Sequence, residues 1–185
     1  MEYKLTTPVT TEDIKMLRAG DRVILTGEIY TARDQAHKRI IEALANDEEL
    51  PFDLEGSAIY YVGPTPEKPG RAIGSAGPTT SSRMDVYSPK LLNLGNKIMI
   101  GKGKRSAEVI DAIKKNGAIY LGAMGGAGAL MSECIRDAEI LAWPDLGCEA
   151  VRRLKVVNMP LTVIIDSEGN DLYEMGPNAY LSVEL

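Results

Sequence analysis

Apolar and polar positions alternate from Val23 to Ile29 within LTTPVTTEDIKMLRAGDRVILTGEIYT. That alternation predicts a strand, preceded by a polar lead-in and a short helix ending near Gly20. The period then lengthens. In TARDQAHKRIIEALANDEELP, Ala36, Ile40, Ala43 and Leu44 share one face at helical spacing, with Thr31 as the expected N-cap and Pro51 marking the end. SAIYYVGPTPEKPGRAIGSAGPTTSS reads as a strand over Ser57 to Val62 followed by a long Gly/Pro loop, and loops of that length are often functional.

The middle of the chain carries a βαβ pattern. NKIMIGKG is a strand, Ser106 caps a helix over SAEVIDAIKKNG that stops at Gly117, and AIYLGAM is the next strand; the unit implies a partly parallel sheet. AVRRLKVVNMPLTVIIDSEGNDLYEM contains two strand-like runs and a Ser-Glu-Gly-Asn turn leading into a third, which adds antiparallel or mixed pairing. No internal repeat or linker divides the chain. The expectation is one compact α/β domain over residues 1–185, with a mixed sheet and a β-rich C-terminal part.

Composition narrows this picture. At 185 residues, 44% apolar and 25% charged, the chain buries a core without staples. Its two cysteines, Cys134 and Cys148, are a weak basis for a disulfide scaffold, and MEYKLTTPVTTED has no apolar run for a signal peptide; a cytoplasmic setting is expected. No stretch approaches the roughly 20 apolar residues of a membrane span. A net charge of -5 offers no general attraction to nucleic acid or anionic lipid. An anion must therefore meet a local cluster of cations.

Three places supply such cations. Arg33 lies within about 20° of Ile40 and Leu44 at 100° per residue, so it faces the core side; a solvated arginine over an apolar edge is the alternative. A cation there opposes the helix dipole by roughly 0.3–1 kcal/mol. His37, the single histidine, reads as a structural residue on the same face, with a direct catalytic role as the alternative. The stretch GSAGPTTSSRMDVYSP gathers hydroxyls around Arg83. Within it, Ser82 to Asp85 fits a capping box starting a helix toward Gly95, with Ser88-Pro89 as a restart, and a helix start of this kind also suits an anion. Lys102 in GKGKRS sits between glycines where a strand ends, the edge at which parallel sheets present ligand groups. Lys104 and Arg105 read as solvated charges. The Gly125-Gly126-Ala127-Gly128 run lacks the third glycine of a dinucleotide fingerprint, so a tight turn or close packing is the simpler reading, and no Walker A lysine motif exists.

Four separated motifs, GEIYTARDQAHKRI, GPTTSSRMDVYSPKLLNLG, IMIGKGKRSAEVIDAIKKNGAIYLGAMGGAGAL and MPLTVIIDSEGNDLYE, make nearly the whole chain resemble the β subunit, or C-terminal domain, of the iron-sulfur hydro-lyases comprising class I fumarases and L-tartrate dehydratases. The resemblance implies a swivelling β/β/α-type domain completing an active site whose [4Fe–4S] cluster is held by a separate α subunit or an N-terminal domain. Two cysteines are too few for the cluster. The two-chain form is expected, as an (αβ)2 assembly dehydrating (S)-malate to fumarate; an L-tartrate dehydratase subunit and a non-catalytic dicarboxylate-binding module are the alternatives.

Motif by motif, the resemblance puts Arg33 and Arg83 on substrate carboxylates, Lys102 near the same site and Thr79 near the carbon that loses its proton. Thr80 and Ser81 are expected as hydrogen-bond donors to a carboxylate, with Ser82 as donor or cap. Asp34 and Asp85 take structural roles. A hydroxyl is too weakly acidic to act as a base without activation. Either Lys102 activates Thr79, or a carboxylate of the partner is the base and Thr79 orients the substrate.

Overall fold

The alternating segment forms strand β2, Arg22–Thr31, and the rest of the sheet is organised on it. In chain order the strands are β1 (Glu2–Thr6), β2, β3 (Ala58–Tyr60), β4 (Ile98–Gly101), β5 (Ile119–Gly122), β6 (Ile135–Ala142) and β7 (Val151–Ile165). The computed structural model describes residues 1–181; residues 182–185, the end of the expected domain, lie outside the described residues. One edge of β2 pairs in parallel with β1 along residues 22–26 and with β3 at residues 30–31. Its other edge pairs antiparallel with β7. Because β3, β4 and β5 continue in parallel and β5 also pairs with β7, the strands β2-β3-β4-β5-β7 close into a ring. β6 lies outside the ring on β7.

Side chains one residue apart divide between two cores, as strand geometry requires. Ala58, Tyr60, Ile98, Ile100, Ile119 and Leu121 join one cluster with β2 and β7 residues. Ile59, Tyr61, Met99 and Tyr120 join the other, under helices α2 (Asp34–Ala45), α3 (Ser88–Asn93) and α4 (Ala107–Asn116). The β4-α4-β5 unit matches the expected βαβ pattern, with Gly117 at φ 55° closing α4.

Several local expectations are corrected. The polar lead-in contains β1, where only Leu5 is buried. Helix α1 is a single turn, Thr11–Ile14, capped by a reciprocal Thr10–Asp13 box, and ends well before Gly20. Thr31 does not cap α2. It ends β2, and its buried hydroxyl donates to the Ala150 carbonyl at 3.2 Å and accepts from the Arg152 N–H at 2.9 Å. Position 33 is the N-cap, without a side-chain cap bond of its own. The Ser82–Asp85 box does not form either: Ser81–Met84 is a 3-10 turn, because Asp85 is committed to Arg105 and Ser106. The helix restarts at Ser88-Pro89. The two C-terminal strand-like runs are one strand, β7, with left-handed Asn158 beside a register shift. The turn after it leads into helix α6, Leu172–Leu181, and not into a third strand.

Candidate site at the carboxyl rim

The parallel register aligns the carboxyl ends of β2, β3, β4 and β5 at one rim, where open α/β sheets present ligand groups. Arg33 follows β2. Its side chain is 19% exposed, with Nη2 3.5 Å from Glu149 Oε1 and 3.9 Å from Asp34 Oδ2. Its Nε and Asp34 Oδ2 are buried without hydrogen-bond partners among the described residues. The guanidinium lies against Gly63, beyond β3: a Cβ there would come 2.6 Å from Arg33 Nη1 and 3.1 Å from its Cδ. Asp34 Oδ1 accepts from Arg83 Nε at 2.8 Å, so one carboxylate stands between the two arginines. That bond leaves the terminal fork of the half-exposed Arg83 outside it.

The Gly/Pro loop is pinned across the rim by backbone bonds. Tyr60 donates its hydroxyl to the Ala76 carbonyl at 2.5 Å, and the Thr79 N–H donates to the Tyr61 carbonyl at 2.7 Å. Ala76 N–H donates to the Gly128 carbonyl, in keeping with close packing at the glycine run. Ser81 N–H donates to the Lys102 carbonyl, and the Lys102 N–H returns a bond to Ser81 Oγ at 3.0 Å. The Tyr120 hydroxyl makes a second hydrogen bond to the same oxygen at 2.9 Å. Ser81 is fully buried, and a side chain at Gly101 would overlap its Oγ. Its hydroxyl therefore holds the loop on β4. Thr79 is half-buried, Thr80 is exposed in a bridge with Lys102, and the exposed Lys102 makes no ion pair among the described residues. Arg33, Arg83, Thr79, Thr80 and Lys102 thus share the rim.

His37 is buried beside this rim. Nδ1 is 2.9 Å from the Arg33 carbonyl, an acceptor, which assigns the ring proton to Nδ1; Tyr61 meets the ring edge-on and Tyr87 stacks on it. Burial, only partly opposed by that backbone bond, pushes its pKa down to about 4. The imidazole is neutral at pH 7 and structural.

Arg105 departs from the sequence reading. It is not a solvated charge: its guanidinium is buried, paired with Asp85 at 2.7 Å and flanked by the rings of Tyr61 and Tyr120. Burial opposes its charge, but Tyr61, Asp85 and Tyr120 outweigh that and keep its pKa raised. Lys104 is exposed as expected. Glu149 is the other residue the sequence did not single out. Its carboxylate accepts the Gln35 N–H at 2.9 Å, capping α2 from 114 residues away, while it faces Arg33; no local pattern marks such a contact.

The chain's own residues do not fit an iron-sulfur cluster. Such clusters are held by several cysteine thiolates. Cys134 contacts the Leu130 and Asn158 carbonyls and Cys148 is exposed elsewhere. Among the described residues no group of three or more His, Cys, Asp or Glu side chains is placed to hold a metal ion, and no helix is long and apolar enough to cross a membrane.

Known proteins resemble the chain over most of its length. The family model described as the fumarase C-terminus matches residues 1–176. The chain is 42% identical over 180 residues to a provisionally named L(+)-tartrate dehydratase subunit beta of Methanocaldococcus jannaschii, covering 94% of this chain and 92% of that one. It is 42% identical over 164 residues to fumarate hydratase 2 of Leishmania major, covering 88% of this chain, and 41% identical over 155 residues to the aerobic class I fumarate hydratase of Escherichia coli, covering 83%. It spans only 29% and 28% of the length of those two fumarate hydratases.

Proposed function

The chain belongs to the fumarase C-terminus family, and from that premise we propose that it is the β subunit of a two-chain hydro-lyase interconverting (S)-malate and fumarate. A relative named as a subunit beta and matched over 92% of its length supports a separate α subunit, which would carry the [4Fe–4S] cluster in a cytoplasmic (αβ)2 assembly. The domain is then of the swivelling β/β/α type, closing its rim over the partner's face.

One observation carries the reading: in a chain of net charge -5, Arg33, Arg83 and Lys102 are gathered at a single rim with Thr79. Two guanidinium forks suit the two ends of a dicarboxylate, and hydrogen bonds to charged groups contribute about 1.5–3 kcal/mol each. The proton removed is alpha to a carboxylate. Its departure builds charge on that carboxylate, so fixed cations stabilise the transition state more than the ground state. Arg33 and Arg83 bind the carboxylates, Asp34 orients both arginines, and Lys102 adds positive charge beside Thr79. Thr79 orients the reacting carbon or, activated by Lys102, accepts its proton. Thr80 is placed to donate to a carboxylate, while Ser81 acts by fixing the backbone of Lys102. No step involving the cluster is assigned to this chain.

Dehydration of L-tartrate to oxaloacetate is the second reading, favoured by the near-complete match to the tartrate dehydratase subunit. The test is anaerobic purification of the chain with its native partner, followed by assays with malate, fumarate and L-tartrate. Oxygen-sensitive turnover by a complex with a cysteine-bearing partner is expected, and the preferred substrate names the enzyme. A chain that elutes alone and binds dicarboxylates without turnover is instead a binding module.

A further inference from the structure

We infer that Arg105 and Asp85 form a buried positioning pair that fixes Lys102 and Arg83 relative to one another; the inference rests on the catalytic reading above. Asp85 lies two residues after Arg83, at the end of the 3-10 turn, and Arg105 three residues after Lys102, ahead of α4. Arg105 Nε donates to Asp85 Oδ1 at 2.7 Å, Nη2 to Ser88 Oγ at 2.7 Å and Nη1 approaches Met99 Sδ at 3.3 Å. The second Asp85 oxygen accepts the Ser106 N–H at 2.7 Å. The Tyr61 and Tyr120 rings lie 5.3 and 4.9 Å from the guanidinium carbon. Tyr120 then carries the connection back to the rim, its hydroxyl donating to the Gly103 carbonyl at 3.0 Å and hydrogen-bonded to Ser81 Oγ at 2.9 Å, on either side of Lys102.

Stability alone does not account for this arrangement. Apolar side chains of similar volume often replace a buried ion pair without loss, because desolvation offsets the attraction. They cannot reproduce its directions. The guanidinium and the two carboxylate oxygens tie two segments together at three points, and those segments carry Lys102 and Arg83.

The test uses the complete complex with Asp85→Leu and Arg105→Met combined, and Asp85→Asn as the milder variant read in the same way if the double variant does not assemble. Amide hydrogen exchange and turnover are measured together. The expected result is a melting temperature near wild type, exchange at Ser81, Lys102 and Ser106 faster by about tenfold or more while ring-strand amides keep their protection, and kcat at saturating substrate lower by about tenfold or more. Unchanged exchange at those amides, or kcat within about twofold of wild type, overturns the inference. A wild-type complex that turns over neither malate nor L-tartrate refutes the catalytic reading instead, and exchange alone then decides whether the pair locks the two segments.

Discussion

Replacing Gly63 with alanine separates binding at the rim from stability of the fold. The added Cβ would lie 2.6 Å from Arg33 Nη1 and 3.1 Å from Cδ, whereas comfortable contacts begin near 3.5 Å. The guanidinium end must therefore move by about 1 Å, which lengthens a hydrogen bond of ~2.9 Å beyond useful range. Gly63 is not among the positive-φ glycines, so the backbone accepts alanine and the unfolded chain loses some freedom. Losing one charge-assisted bond of about 1.5–3 kcal/mol lowers kcat/KM roughly 10- to 150-fold, with melting essentially unchanged. The assay is steady-state hydration of fumarate by the assembled complex, with Gly63→Ala measured alone and in an Arg33→Ala background. In that background the alanine has nothing left to displace, so the two effects do not add. A kcat/KM within about threefold of wild type, or full additivity with Arg33→Ala, would refute the placement of Arg33 on the substrate.

Arg83→Ala and Lys102→Met should each lower kcat/KM by about tenfold or more without preventing assembly; normal turnover in either variant removes that residue from the site. Thr31→Val leaves the Arg152 N–H without its acceptor and should cost about 1–3 kcal/mol in urea unfolding, an effect absent if the hydroxyl were only an exposed cap. His37, with an ordinary pKa of 6.5 pushed down to about 4, must be neutral in the fold. Its contribution is complete above pH 6.5 and is lost as pH falls toward 4, a span of ~3 kcal/mol. His37→Leu should flatten the wild-type loss of stability across that window, and parallel pH profiles would exclude the assignment.

What the sequence made legible was local. The period change from β2 to α2 and the β4-α4-β5 unit follow from side-chain alternation within a few residues. Arg33 could be placed because it opens a helix on the side of its apolar face, and Lys102 because it directly follows a strand. Contacts between distant segments left no such trace. Glu149 against Arg33, and Thr31 bound to the last turn before β7, depend on ring closure, which no period reports. Burial of Arg105 was hidden because its partners are Asp85, Ser88 and two tyrosines from three other segments. β6 was missed because most of its positions are only half-covered or exposed. α6 read as strand because LYEM is too short a run to distinguish the two periods.

The antiparallel seam between β2 and β7 also sets a schedule for synthesis. Thr31 waits for Arg152, 121 residues later, and at 5–20 residues per second that is roughly 6–24 s during which β2 has left the ribosome without its final neighbour. Unpaired strand edges invite association with other chains. Until β7 arrives, the edges of β2 and β5 that it closes stay open, and a chain halted before residue 151 would carry both unpaired.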